Sequence, residues 1–223
     1  MRHHGAVDNN AVIAAAVGAA LALLPPVWVF TRHVVTLVHE GGHAMVALLT
    51  GRRLNAVRLH SDTSGHTISS GRPRGPGMVA MAAAGYLAPS VLGLACIWLV
   101  ATDHTAWALW AALITLALML VYVRNWFGLL VVAAAGGAVA ALIWRTATGV
   151  QDFAATVLAW FLLVAAPRTT LDLWSHRRRT RSRTTDADLL ARLTHVPAAV
   201  WNALLLLATV GALVLAIGLL RSA

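Results

Sequence analysis

The chain has 223 residues, of which 59% are hydrophobic and 11% charged, with mean hydropathy +0.74. A soluble domain carries about a quarter charged residues, so an ordinary soluble globule is excluded and a bilayer-embedded chain is indicated. Lys+Arg 17 against Asp+Glu 8 would suit nucleic acid, but the arginines lie in loops between apolar runs and no recognition motif accompanies them, so the excess reads as topogenic.

A polar tail, Met1 to Asn10, carries Arg2, His3, His4 and Asp8. The apolar stretch behind it has Pro25-Pro26 and bulky residues where a small-residue cleavage site would stand, and is expected to be retained. Unbroken apolar runs predict seven membrane segments, at about 11–31, 33–50, 78–101, 106–123, 126–144, 152–167 and 197–220. Pro25-Pro26 should kink or break the first.

The second segment contains His39-Glu40-Gly41-Gly42-His43. Histidines four apart on a helix share one face and can bind one Zn²⁺. Glu40 beside them can take the proton from a zinc-bound water and act as general base. Ionisable groups inside an apolar run are expensive, which favours a functional site over a packing role. Gly41 and Gly42 suggest close approach by a packed helix or an extended substrate.

After this helix, Leu54, Val57 and Leu59 precede Ser61-Asp62-Thr63-Ser64-Gly65 and Thr67-Ile68, predicting a β-hairpin with His60 and His66 flanking its turn in solvent. Arg72 to Gly77 then returns the chain to the membrane. Cys96, the one cysteine, lies in an apolar run as a packing residue and excludes an intrachain disulfide. Tryptophans near segment ends, Trp160 among them, suggest an aromatic belt. Small-residue patches around Ala133–Gly137 and Gly211–Gly218 suggest helix-packing surfaces. Asn125, at a turn between the fourth and fifth segments, is either a substrate-binding donor or an ordinary turn residue. Residues from Arg168 onward read as a basic flexible linker, followed by a short amphipathic helix with Thr185 as its N-cap, Asp186 in its first turn and Asp188 as capping-box partner.

The basic loops 51–77 and 168–195 are separated by four segments, so both fall on one side, which the positive-inside rule makes cytoplasmic along with the N-terminus. The expected fold is all-α: a polytopic transmembrane helical bundle of about six to seven helices, with a small cytoplasmic β-hairpin after the His-Glu-Gly-Gly-His helix. It should form one membrane domain, 1–223, without repeats.

At this motif the chain resembles the site-2-protease-type intramembrane zinc metallopeptidases, peptidase family M-fifty, in their compact bacterial B-like branch. The residues carrying the resemblance are His39 to Ala44, Leu49-Thr50-Gly51-Arg52-Arg53, His60 to Gly65, Ala84-Gly85-Tyr86-Leu87, Arg124-Asn125-Trp126-Phe127-Gly128 and Thr185-Asp186-Ala187. The resemblance implies a Zn²⁺-dependent endopeptidase of the bacterial cytoplasmic membrane, acting on a membrane protein or peptide substrate. The family's Asn-Pro-Asp-Gly or Leu-Asp-Gly element, which supplies the third zinc ligand, is not intact; Asn125 with Gly128 echoes it without the aspartate. Asp186, in the family-like Thr-Asp-Ala element, is the favoured third ligand and Asp172 the next, with Asp62, His60, His66 or no third protein ligand left open. The alternative function is a catalytically inactive membrane scaffold or chaperone retaining the fold; a solute transporter would need polar residues along several helices. No peptide-binding module is recognisable, so selection rests with the membrane domain or an unidentified regulatory partner.

Overall fold

In a computed structural model, residues 9–180 and 184–222 are described. The tail with Arg2, His3, His4 and Asp8, and the linker arginines Arg181 and Arg183, lie outside them. Eight helices and one hairpin follow in the order α1 (Asn9–Leu23), α2 (Pro25–Leu49), β1 (Arg53–Leu59), β2 (Gly65–Ser70), α3 (Pro76–Ala101), α4 (Thr105–Tyr122), α5 (Trp126–Arg145), α6 (Thr148–Thr180), α7 (Asp186–Thr194) and α8 (Ala198–Ser222). By length and apolarity α3, α4, α5, α6 and α8 can each cross a membrane, and α1 with α2 makes a sixth span if the bent pair counts as one. The protein is a polytopic, integral membrane helical bundle.

The first two expected segments are corrected. The break expected at Pro25-Pro26 forms, at Leu24, because Pro25 occupies the first turn of α2, where its missing N–H costs nothing; the boundary expected near residue 32 does not. Arg32, which falls between the first two expected segments, lies inside α2. The two helices meet at 95°. The turn strands carbonyls at the end of α1: the Thr31 hydroxyl donates to Leu21 O at 2.9 Å, and the Arg168 guanidinium to Ala22 O. Arg168 also lies over the Trp28 ring, 4.3 Å from its centroid. Arg168 itself belongs to α6, which continues through Pro167 to Thr180; the expected flexible linker is helix at this point.

Tight helix crossings are made at glycines other than those expected. A methyl on Gly18 would lie 2.6 Å from Val157 O of α6, and one on Gly93 2.8 Å from Leu163. Gly137, Gly211 and Gly218 face open space, but the two small-residue patches pack through their alanines: Ala135 lies against the cluster of Val57 and Val132, and Ala212 and Ala216 are buried. Trp160 is buried with Leu163, Ala212 and Ala216 instead of joining a belt, whereas Trp98, Trp107, Trp126 and Trp144 are exposed. Cys96 packs at the α3–α6 contact, its thiol 3.5 Å from Ala155 O.

The hairpin forms where predicted, antiparallel from Arg53↔Ser70 to Leu59↔Gly65, with a bulge between Leu54 and Ala56. Val57 and Leu59 are buried against Leu37 and Ala44 of α2 and Met119, Val123 and Val132 of the α4–α5 pair. The chain between α4 and α5 runs along the outer edge of β1 as a short parallel bridge, Val57↔Val123, with the Arg124 N–H donating to Val57 O at 3.1 Å. Asn125 extends this pairing with its side chain: Oδ1 accepts from the Leu59 N–H at 3.1 Å and Nδ2 donates to Leu59 O at 2.6 Å.

Asn125→Ala would leave both Leu59 backbone groups without that partner. A loss of about 1–3 kcal/mol is expected, read as a lower Tm in detergent and faster proteolysis at residues 53–70; an unchanged Tm would contradict the pairing.

Candidate metal centre

α2 packs against α3, and the two come into close contact at the motif. A methyl on Gly42 would lie 2.5 Å from Ala88 Cβ and 2.8 Å from Ala84 O, so the second motif glycine serves helix packing. This presses His39 and His43, one turn apart on α2, against α3. The His43 Nδ1–H donates to Met81 O at 2.7 Å, which leaves the Nε2 of the neutral ring as a lone pair facing inward. The Tyr86 ring stands edge-on to His39, centroids 4.7 Å apart, and fixes that imidazole plane.

The third member arrives on α7. That helix is held by Ala187 and Leu190, both fully buried, the latter clustered with Ala82 of α3 and Leu205 of α8. Its start is set by a complete capping box: the Thr185 hydroxyl accepts from the Asp188 N–H, and the Asp188 carboxylate accepts from the Thr185 N–H at 3.1 Å. Asp188 thus takes the capping duty, and Asp186, first residue of α7, is free to turn its carboxylate to the histidines. The two sequence readings of Asp186, helix-start acid and third member of the cluster, hold together.

His39 Nε2, His43 Nε2 and Asp186 Oδ2 form a triangle with edges of 3.0, 3.1 and 3.3 Å. Around a four-coordinate ion with bonds of about 2.0–2.1 Å, neighbouring ligand atoms stand about 3.3–3.4 Å apart. The triangle is therefore only slightly smaller than the face of such a site. Space is reserved as well. A Cβ on Gly85 of α3 would fall 2.5 Å from His43 Nε2 and 2.6 Å from His39 Nε2, against both imidazole ligand atoms. The donor set, its spacing and the missing Cβ all fit a metal ion. Among the described residues, these three form the one group of histidine, cysteine and acidic side chains that converges in this way.

The other candidates fall elsewhere. Glu40 is buried, 4% exposed, beside the cluster and under the hairpin. Asp172 is exposed on α6 and outside the group. Asp62 shapes the hairpin turn, accepting from the Ser64 N–H at 2.9 Å and the Ser64 hydroxyl at 2.6 Å. His60 and His66 stack edge-to-face at that turn, 5.7 Å apart, but His60 is only partly exposed and its Nδ1 is buried, against the solvated position expected. Asn125 spends both amide atoms on Leu59 and meets the centre only through β1. Sequence reasoning did not single out Met81, whose role is a backbone carbonyl, or the space left by Gly85; a small residue in Ala84-Gly85-Tyr86 was the only trace.

Gly85→Ala is expected to lower metal affinity by about tenfold or more, measured as metal per purified chain. Gly137→Ala, in open space, should bind as the parent does; equal metal in both variants would contradict the cradle.

Comparison with curated proteins and with solved structures gave no match. The sequence model of the family described as Peptidase M50B-like matches residues 12–216, a stretch that takes in both histidines, Glu40, the hairpin and Asp186. The chain belongs to the Peptidase M50B-like family.

Proposed function

We propose that the chain is a zinc-dependent intramembrane endopeptidase that hydrolyses peptide bonds of membrane or membrane-adjacent proteins. The observation that carries this reading is the convergence of His39, His43 and Asp186 on one point beside the buried Glu40. Nitrogen and carboxylate donors with three protein ligands suit catalytic zinc, which keeps a fourth position open. Bound there, the ion supplies Lewis acidity toward the scissile carbonyl and an attacking water. His39, His43 and Asp186 hold it, and the Met81 carbonyl keeps His43 in the ligating tautomer. Glu40 takes the proton from the attacking water and delivers it to the leaving amide nitrogen. Peptide bonds in a helix are already hydrogen-bonded, so a membrane-spanning substrate unwinds locally before it reaches Glu40. Asn125 contributes to substrate handling through the hairpin it braces. The basic loops and N-terminus face the cytoplasm, and the host membrane is the bacterial cytoplasmic membrane.

The test is zinc per chain and cleavage of a transmembrane peptide, both in detergent. His39→Ala and Asp186→Ala should each lose zinc, and Asp172→Ala should keep it. Glu40→Gln should keep zinc and cut cleavage by about 10²–10⁴-fold. Zinc retained in Asp186→Ala would move the third ligand elsewhere. A zinc-loaded parent that cleaves no transmembrane substrate would replace the peptidase with the inactive scaffold.

A further inference from the structure

The hairpin does more than lie near the motif: it grips Glu40. The Thr67 hydroxyl of β2 stands 2.7 Å from Glu40 Oε2 and 3.1 Å from Glu40 O. It has one proton to give, and the shorter contact, to the charged group, is the stronger. Two residues earlier on the same strand face, Gly65 has no side chain where a methyl would strike Glu40 Cγ and Oε1 at 2.6 Å. Gly65 and Thr67 thus form one wall: the first leaves room for the carboxylate, the second fixes its rotation. The wall is tied down beyond Glu40. The Thr36 hydroxyl of α2 donates to Thr63 O at 2.9 Å, and the Ser69 hydroxyl to the sulfur of Met81 at 3.3 Å, on the residue whose carbonyl orients His43.

We propose that Thr67 is a positioning residue for Glu40, engaging one carboxylate oxygen so that the other is the proton acceptor. This rests on Glu40 being the general base. An unheld glutamate rotates about its terminal torsion; a hydrogen bond to one oxygen selects the orientation in which the second faces the water. The assignment makes the hairpin part of the catalytic apparatus through a single hydroxyl.

Thr67→Val keeps volume and strand preference and removes the hydroxyl. Zinc per chain and KM should match the parent, while kcat falls about 10- to 100-fold. Thr67→Ser, which restores the hydroxyl, should return kcat to within about threefold of the parent. A Thr67→Val enzyme with parental kcat overturns the proposal, as does a Thr67→Ser enzyme no better than Thr67→Val. A readout independent of turnover is hydrogen exchange of the 65–70 amides. It should quicken in Thr67→Val and Glu40→Ala and not in Thr67→Ser, whether or not the parent cleaves. Parental exchange in both Thr67→Val and Glu40→Ala overturns the link. A zinc-loaded but inactive parent with quickened exchange in those variants counts against the peptidase reading alone.

Discussion

Two imidazole nitrogens and a carboxylate oxygen brought within about 3 Å of one another in an apolar bundle impose the constraint on which the rest of the structure turns. Lone pairs facing each other at that distance repel, and a carboxylate out of water needs a positive partner. A cation at their centre satisfies all three. The surroundings are arranged around that point: α2 and α3 close on Gly42, Gly85 stays bare, the Met81 carbonyl fixes one imidazole and Tyr86 braces the other. The capping box at the start of α7 fixes Thr185 and Asp188, so the neighbouring Asp186 meets the histidines on a helix end that is already formed.

The hairpin is the second organising element. It is held on one side by the chain between α4 and α5, through Val123, Arg124 and Asn125, and on the other by contacts to α2 and Met81. Its buried strand residues, Val57 and Leu59, join α2 to the α4–α5 pair in one apolar cluster. A two-stranded hairpin is marginal by itself in water; here a mock third strand and a helix face supply what it lacks. The result is a rigid cover over Glu40 and not a loose loop.

Much of this was legible in the sequence, for reasons specific to each residue. His39, Glu40 and His43 declare themselves because three ionisable groups in an apolar run have no bland explanation. The hairpin shows in alternating residues around Gly65, and α7 in Thr185 and Asp188 at capping-box spacing. The α1–α2 break was legible in Pro25-Pro26, but a second boundary was placed near Arg32, because a charged residue between apolar runs reads as a segment end. α6 outran its apolar pattern because Pro167 does not end it: the helix continues through Arg168 to Thr180. Close crossings at Gly18 and Gly93 were hidden because a lone glycine says nothing of what packs on it, while the richer small-residue patches pack through Ala135, Ala212 and Ala216. Thr67 and Met81 act through a hydroxyl and a carbonyl that any strand or helix could carry, so only the folded contacts reveal them.

The separation of the ligand-bearing residues along the chain has a consequence for biogenesis. His39 and Asp186 lie 147 positions apart, and the helix carrying Asp186 is seated partly on Leu205 of α8. During synthesis the histidines and Glu40 are made early, yet the cluster cannot close until α7 and the part of α8 beneath it have followed. A metal ion held there would be captured as α7 docks, since a site absent from the unfinished chain makes binding energy part of folding energy. A chain stalled before α7 carries the His39-Glu40-Gly41-Gly42-His43 motif without the third member of the cluster.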